Sequence, residues 1–441
     1  MKLKEEKTMP GFLLYPELNR SEVFRDLEIL EQISKSGEEP AEYDRSPVPD
    51  PEKLTLRITS FLIDQAMRYG FEGNLLHCYL AHTLVSTETP YTLLKERRSV
   101  EAGSMDGVMM RDLKIFRTFF SLNLETLSLQ KGLEDLGLVT AFVRSPEGTF
   151  EYGEDVRSRI CNLGVALAVA MSELQMKELL DAFYENVGVG EFGLHRAFRV
   201  SESRKHLITP LMGLPNVRLS DLVGLETAKE KLRANTESFL EGLGANNCLL
   251  YGDAGTGKST SVKAIANEYY DRGLRVVEIY KHQFANLHRV LRALGKRNYH
   301  FIVFMDDLSF EGFETEYKFL KAVIEGGLEQ IPENVLIYAT SNRRHLIRED
   351  ASDRDEDMLP GDTVEEKLSL AHRFGEQIYF GRPNKQEFED IVQELAARSD
   401  IELDGPELFR LANSWEIRHG GRSGRSAEQF ILWLRAREGG T

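Results

Sequence analysis

The residues best suited to chemistry form one glycine-rich loop that fits the phosphate-binding pattern GxxxxGK[ST] without a mismatch. Its glycines let successive backbone N–H groups converge on phosphate oxygens, and the N-terminus of the following helix adds partial positive charge. The lysine can reach the β- and γ-phosphates, and the serine hydroxyl is a ligand for Mg²⁺. The loop consists of Gly252, Asp253, Ala254, Gly255, Thr256, Gly257, Lys258 and Ser259, and Thr260 follows it. The sequence therefore predicts a nucleotide-binding P-loop.

The flanks of this loop support the prediction. Residues 247–251 are short and mostly apolar, as a buried strand is, and residues 261–270 have helical spacing without glycine or proline. A plain glycine turn before a helix would explain neither the lysine and serine at the required positions nor these flanks.

An acidic pair ends a second apolar strand. His300 to Met305 is followed by Asp306 and Asp307, and two carboxylates at the end of a buried strand are costly unless a cation meets them. We expect Asp306 to hold Mg²⁺, commonly through its water shell, and Asp307 to polarise the attacking water. The alternative is a strand-ending turn capped by aspartate.

Composition limits the class of protein. The chain has 441 residues, 41% of them hydrophobic, and a net charge of -16, which predicts two or three globular domains. The negative charge does not favour nucleic acid as a partner, although the local basic run from His195 to His206 leaves it possible. A solvated charge cluster is the alternative interpretation of that run.

The cysteines and the apolar stretches predict a location. Cys78, Cys161 and Cys248 lie far apart in the sequence and form no CxxC pair, which fits a reducing cytoplasm. The longest apolar stretch, residues 160–171, is too short to span a bilayer. We therefore expect a cytoplasmic protein without membrane contact.

The pattern along the chain changes near residue 205. Helical spacing dominates before it and predicts a mostly α-helical N-terminal domain, residues 1–205. Beyond Leu219 strands and helices alternate, which is typical of a parallel sheet wrapped by helices, and the fold class is α/β. We expect the nucleotide-binding core at 206–383 and a helical lid at 384–441. The five strands placed from sequence are 247–251, 274–281, 300–305, 334–340 and 377–380.

In this arrangement the chain resembles the AAA+ ATPases over residues 219–430. The resemblance implies that Val223 and Gly224, within Leu222-Val223-Gly224-Leu225, pack on adenine. It also implies that Asn342, which ends Ala339-Thr340-Ser341-Asn342, is the first sensor and bonds the γ-phosphate or its attacking water. The implied cofactors are ATP and Mg²⁺.

Two arginines follow from the same resemblance. Arg373, in Leu370-Ala371-His372-Arg373-Phe374-Gly375, lies where the family places the arginine that reaches a neighbouring subunit's nucleotide, so a homo-oligomer is implied. Its alternative partner is the acidic loop 349–366. Arg425 is the candidate for the second sensor and is preferred over Arg422.

One departure from the family concerns the rate of hydrolysis. The acidic pair is Asp-Asp, where the common AAA+ pattern has glutamate second, and a shorter carboxylate lies farther from the γ-phosphate. Overall, the chain is most similar to a bacterial family of AAA+ ATP-binding proteins of unknown function, in which Asp306-Asp307-Leu308-Ser309-Phe310-Glu311 is the most recognisable phrase.

Three functions are compatible with these motifs. The first is an oligomeric ATPase that remodels or loads a protein or nucleoprotein partner, and Arg373 is its discriminating feature. The second is an ATP-gated binding module with slow or no turnover, which the Asp-Asp pair permits. The third, a small-molecule kinase, is weaker because the lid and the Arg-Phe segment suit subunit contacts better than an acceptor pocket.

Overall fold

The computed structural model describes residues 10–36, 50–145, 147–203, 206–310, 316–324, 330–342 and 370–438. The chain divides into two compact units, Met1–His195 and Arg196–Thr441. The acidic loop 349–366, the alternative partner for Arg373, lies outside the described residues. No helix in the described ranges is long and apolar enough to cross a membrane.

The described part of the N-terminal unit is helical. Its α-helices are α1 (Glu22–Ser36), α2 (Pro51–Tyr69), α3 (Leu75–Ser86), α4 (Pro90–Lys95), α5 (Ser104–Phe120), α6 (Leu124–Leu127), α7 (Glu154–Ala168), α8 (Glu173–Asn186) and α9 (Gly190–Leu194). Helix α2 begins at Pro51, where the Asp50 side chain accepts the Glu52 N–H, and ends at Gly70, whose φ of 77° closes the helix. Leu80 of α3 and Phe116 of α5 are completely buried in the core of this unit.

A seven-stranded sheet forms the centre of the C-terminal unit. Its strands are β1 (Ala197–Val200), β2 (Ile208–Pro210), β3 (Cys248–Gly252), β4 (Leu274–Glu278), β5 (His300–Met305), β6 (Val335–Ser341) and β7 (Glu376–Phe380). They lie in the order β2-β1-β4-β5-β6-β3-β7, and every neighbouring pair is parallel except β1 and β2. The α/β prediction is confirmed.

The sheet is larger than the five strands placed from sequence. β1 and β2 extend one edge, and β1 pairs in parallel with β4. Both strands are short; β1 lies within the basic run and β2 follows it, so that charged residues obscured the apolar alternation. Arg199 of β1 pairs with Glu278 of β4 at 2.9 Å, so this arginine of the basic run neutralises a carboxylate on the neighbouring strand. The chain divides into its two compact units between residues 195 and 196, and the boundary between 205 and 206 stays a prediction.

Helices cover the sheet because both of its faces are apolar. The described helices of this region are α10 (Glu226–Leu240), α11 (Lys258–Glu268), α12 (Leu287–Leu294) and α13 (Glu316–Ile324). Leu232 of α10 and Ile265 of α11 share a core with Ile302 of β5. Phe301 and Val303 point to the opposite face and are also completely buried, as expected of a parallel sheet with two covered faces.

Three further helices form a lid: α14 (Lys385–Arg398), α15 (Gly405–Arg418) and α16 (Gly424–Glu438). Asn384 caps α14 in a reciprocal arrangement with Glu387, which satisfies backbone donors at the helix start. Phe388, Val392 and Phe430 are completely buried in a separate small core. Val223 packs against that core from the segment before α10.

Candidate functional site

The P-loop joins β3 to α11 at the carboxyl edge of the sheet. Gly252 has a φ of 138°, and a Cβ there would lie 2.0 Å from the Phe380 carbonyl oxygen at the end of β7. Gly257 caps α11 with a φ of 94°. Glycine is required at both positions, at the first by close approach and at the second by a left-handed backbone. The loop can therefore bring its N–H groups toward one point above the helix start.

Lys258 is the first residue of α11 and is buried. Its Nζ donates to the carbonyl oxygens of Gly252 at 2.9 Å and Asp253 at 2.6 Å, and to Oδ1 of Asn342 at 3.1 Å. Burial lowers the pKa of this ammonium below its usual value. The loop thus holds a partly desolvated cation at the position where phosphates would bind.

The acidic pair lies beside the P-loop because the strand order places β5, β6 and β3 next to one another. Oδ1 of Asp306 accepts hydrogen bonds from Ser259 Oγ and from Thr340 Oγ1, each at 2.6 Å. Thr340 Oγ1 also accepts the Asp307 N–H at 2.8 Å. One buried hydroxyl therefore orients both aspartates at once.

Asp307 is connected to the P-loop lysine through Asn342. Nδ2 of Asn342 donates to Asp307 Oδ1 at 2.8 Å, and Oδ1 of the same amide accepts from Lys258. The cation on one side and the carboxylate on the other leave a single favourable orientation of the amide. Asp307 has a φ of 51°, a left-handed conformation that aspartate tolerates better than most residues. The arrangement forms a chain of three polar side chains at the strand ends.

Ser259 and Asp306 have the chemistry of a Mg²⁺ site. Magnesium is usually held by one or two carboxylates, substrate phosphates and several waters. A hydroxyl and a carboxylate 2.6 Å apart beside a phosphate-binding loop fit that requirement. Within the described residues no group of three or more His, Cys, Asp or Glu side chains could hold a metal ion.

A cavity of about 1000 Å³ extends from the P-loop to the lid. Val223 and Gly224 line it on one side, and Ile391 and Leu395 of α14 line it on another. Arg398 of α14 donates from Nη1 to the Asp221 carbonyl oxygen at 3.1 Å, which ties the lid to this segment. The apolar wall formed by these residues suits a flat aromatic ring such as adenine.

The two candidate arginines of the lid have different surroundings. Arg425 lines the cavity, and its backbone N–H donates to the Gly255 carbonyl oxygen at 3.3 Å. Arg422 pairs through Nε with Glu416 at 3.1 Å. The predicted preference for Arg425 agrees with these positions, although its role as a sensor stays a prediction.

Arg373 lies before the amino end of β7, whereas the P-loop lies at the carboxyl ends of the strands. Arg373 is exposed and precedes β7, whose last residue, Phe380, pairs in register with Gly252 of the P-loop. The strand between them spans roughly 13 Å at the usual rise per residue. The described residues that line the cavity do not include Arg373. The role of Arg373 at a neighbouring subunit's nucleotide stays a prediction.

Two residues of the site were missed by sequence reasoning. Thr340 was part of the quoted sensor segment, yet its contact with both aspartates depends on strand order, which the motif does not encode. Arg382, just beyond β7, pairs with Asp253 of the P-loop at 3.0 Å and lines the cavity. The sequence signal that could have identified Arg382 is its position just after the carboxyl end of a predicted strand, where parallel sheets bind ligands.

Several proteins are similar to the C-terminal part of the chain. The human ATPase family gene 2 protein homolog A is 31% identical over 38% of this chain and 18% of its own length. The ATP-dependent zinc metalloprotease FtsH of Rickettsia bellii is 25% identical over 49% and 38%. A putative 26S proteasome regulatory subunit homolog of Methanocaldococcus jannaschii is 28% identical over 46% and 59%. The chain spans less than two thirds of each of these relatives.

A solved structure of a RuvB variant from Thermotoga maritima is 17% identical, covers 50% of this chain and 66% of its own, and has a TM-score of 0.37. The order of motifs on this sheet, together with these sequence relatives, marks a nucleotide-binding core of the AAA+ class. A family model described as a protein of unknown function, DUF815, matches residues 193–438. Because that match covers more than half of the chain, the protein belongs to the DUF815 family.

Proposed function

We propose that this protein is a Mg²⁺-dependent ATP hydrolase that works as a homo-oligomer and uses ATP at subunit boundaries to remodel or load a macromolecular partner. The observation that carries the proposal is the hydrogen-bonded chain from Lys258 through Asn342 to Asp307, set beside the Ser259–Asp306 pair. It brings to one edge of the sheet the side chains to which we assign phosphate binding, sensing of the γ-phosphate, activation of water and magnesium binding. The names of three sequence relatives support the proposal: one is an ATPase family protein, one is an ATP-dependent metalloprotease, and one is a putative homolog of a proteasome regulatory subunit.

Each side chain has a defined task in this proposal. Lys258 exchanges its hydrogen bonds to loop carbonyls for bonds to β- and γ-phosphate oxygens. Bonds between an ammonium and a charged phosphate are stronger than bonds to a neutral carbonyl. Ser259 and Asp306 would hold Mg²⁺, which would neutralise part of the phosphate charge. Asp307 accepts a hydrogen bond from the attacking water through the carboxylate oxygen that Asn342 does not occupy. Asn342 keeps that carboxylate oriented.

The second candidate is an ATP-gated binding module with slow or no turnover. The observation that favours it is the shorter carboxylate of Asp307, which is already engaged by Asn342 at 2.8 Å. A water held by that carboxylate would lie farther from the γ-phosphate than one held by glutamate, and misplacement of this kind costs rate. Turnover measured with and without partners separates the two candidates.

Mixed assemblies test the role of Arg373 at the boundary. An Arg373→Ala chain keeps an intact P-loop and a Lys258→Ala chain keeps an intact arginine, so some boundaries in a mixture contain both functional halves. We expect Arg373→Ala alone to lose activity by on the order of a thousandfold without weaker nucleotide binding, and the mixture to recover part of it. Exchange of the exposed neighbour, His372→Ala, is the matched control. A protein that stays monomeric with ATP, or mixtures no more active than either variant alone, would remove Arg373 from the site.

The partner is open to direct capture. We propose a protein partner, because the net charge of -16 does not favour nucleic acid. The Asp307→Asn chain should bind ATP without turning it over and so hold the partner complex. Co-purification with this variant, compared with Lys258→Ala as the nucleotide-free control, should recover a protein that only the first variant retains. Recovery of nucleic acid instead would overturn this assignment.

A further inference from the structure

Two cysteines that are 83 positions apart in the chain meet in the N-terminal unit. Cys78 lies on α3 and Cys161 on α7, and their thiols are within hydrogen-bonding reach of each other. The two helices approach closely because Gly164, one turn after Cys161, has no side chain. A Cβ at Gly164 would lie 2.8 Å from the His77 carbonyl oxygen. The backbones of α3 and α7 are therefore near contact at the level of the thiols.

The environment distinguishes the two sulfur atoms. Cys78 is buried and its thiol donates to the Glu72 carbonyl oxygen at 3.3 Å, whereas Cys161 is half-buried. The neighbouring Cys78 thiol lowers the pKa of Cys161, with a smaller contribution from the Arg157 guanidinium, and the neighbouring Cys161 thiol raises the pKa of Cys78. Cys161 is thus the better nucleophile and Cys78 the proton-bearing neighbour.

We propose that Cys161 and Cys78 form a peroxide-sensitive dithiol that closes to a reversible disulfide between α3 and α7. The proposal concerns the N-terminal unit and is independent of the ATP site. A partly exposed thiol of lowered pKa next to a second thiol is the arrangement found at redox-sensitive cysteines. The close approach of the two helices keeps the second sulfur near enough to resolve the first oxidation product.

The reaction proceeds in two balanced steps. The Cys161 thiolate attacks one oxygen of hydrogen peroxide, so that an S–O bond forms, the O–O bond breaks and hydroxide leaves as water after taking a proton. The Cys78 sulfur then attacks the sulfur of Cys161, the S–S bond forms, and the hydroxyl group leaves as water with the Cys78 proton. In total two thiols are oxidised by two electrons and one peroxide is reduced to two waters.

The third cysteine provides an internal control. Cys248 is completely buried in β3, and burial raises the pKa of its thiol. A buried thiol with little thiolate reacts slowly with peroxide. We expect Cys161 to react faster than Cys248 by roughly tenfold or more, given the difference in thiolate fraction and access.

The test uses the full chain, hydrogen peroxide and mass spectrometry under non-reducing conditions. We expect the wild-type protein to lose two of its three free thiols and two hydrogen atoms, to yield one peptide pair linked through Cys78 and Cys161, and to recover all thiols with dithiothreitol. In Cys78→Ser the hydroxyl still donates toward Cys161 but cannot resolve it, so dimedone should trap a sulfenic acid at Cys161. Cys161→Ser should keep both remaining thiols.

Three results would overturn the proposal. They are a wild-type protein that keeps all three thiols after peroxide, a disulfide that includes Cys248, and a Cys161 that proceeds to sulfinic acid while Cys78 stays free. Circular dichroism of each variant confirms that the helices are intact, and none of these readouts depends on ATP turnover. A failure here would leave the proposed ATPase function unaffected.

Discussion

Replacement of Thr340 by valine tests how the acidic pair is positioned. Thr340 is buried, and its hydroxyl donates to Asp306 at 2.6 Å while it accepts the Asp307 N–H at 2.8 Å. Valine has nearly the same shape but no hydroxyl. Thr340→Val therefore removes both bonds with little change in packing, and leaves the P-loop itself untouched.

The size of the effect follows from the two bonds. A hydrogen bond to a charged group contributes about 1.5–3 kcal/mol. Asp306 is exposed, so water replaces part of the lost bond and the free energy of unfolding should fall by only about 1 kcal/mol. The barrier to hydrolysis should rise by about 2 kcal/mol, because each aspartate loses one of the two bonds that orient it. This rise corresponds to roughly a thirtyfold fall in kcat.

The assay compares Thr340→Val with Thr340→Ser under saturating ATP and Mg²⁺. Serine keeps the hydroxyl and should retain most of the activity, whereas valine should lose kcat with little change in ATP affinity. Thermal unfolding of both variants checks that the core is intact. If Thr340→Val hydrolysed ATP as fast as wild type, or if serine were as impaired as valine, the hydroxyl would not position the acidic pair.

Other variants separate the roles within the site. Asp306→Ala should chiefly remove Mg²⁺ dependence, whereas Asp307→Asn should keep ATP and Mg²⁺ binding and lower turnover; identical behaviour in a metal titration would contradict the division of roles. Arg425→Ala should lower kcat by about tenfold to a hundredfold through loss of a cation near the phosphates, while Arg410→Ala, on the exposed side of the lid, should have no effect; equal effects would point to lid stability instead. Burial lowers the pKa of Lys258, and only its charged form binds phosphate, so ATP affinity should be full below that lowered pKa and fall as pH rises through it, before the usual lysine value is reached. A constant affinity up to pH values near 10.5 would contradict this assignment.

The sequence predicted the motifs of the site better than their connections. The P-loop pattern and the apolar strand before Asp306 are local signals, because glycine spacing and a buried run each determine their own conformation. The contact of Thr340 with both aspartates depends instead on β6 lying between β5 and β3. Nothing in the spacing of these residues encodes that order.

The same reason explains the other differences. β1 lies within a charged run and β2 directly follows it, and both strands are short. Their alternation was therefore too brief to predict strands, and two strands of the sheet were missed. Cys78 and Cys161 are distant in sequence, and only the packing of α3 on α7 brings their thiols together. Contacts between residues this far apart in the sequence can be predicted only when the packing of the elements is known.

The Lys258→Ala variant tests the central claim that this cavity binds and hydrolyses ATP. ATP binding and phosphate release are measured with Mg²⁺ for wild type, for Lys258→Ala and for the exposed control Lys385→Ala. We expect binding and turnover in wild type and in the control, and loss of both in Lys258→Ala. This substitution removes the side-chain cation of the P-loop from a multiply charged phosphate chain. Micromolar ATP affinity retained by Lys258→Ala, or no ATP binding by the wild-type protein, would contradict it.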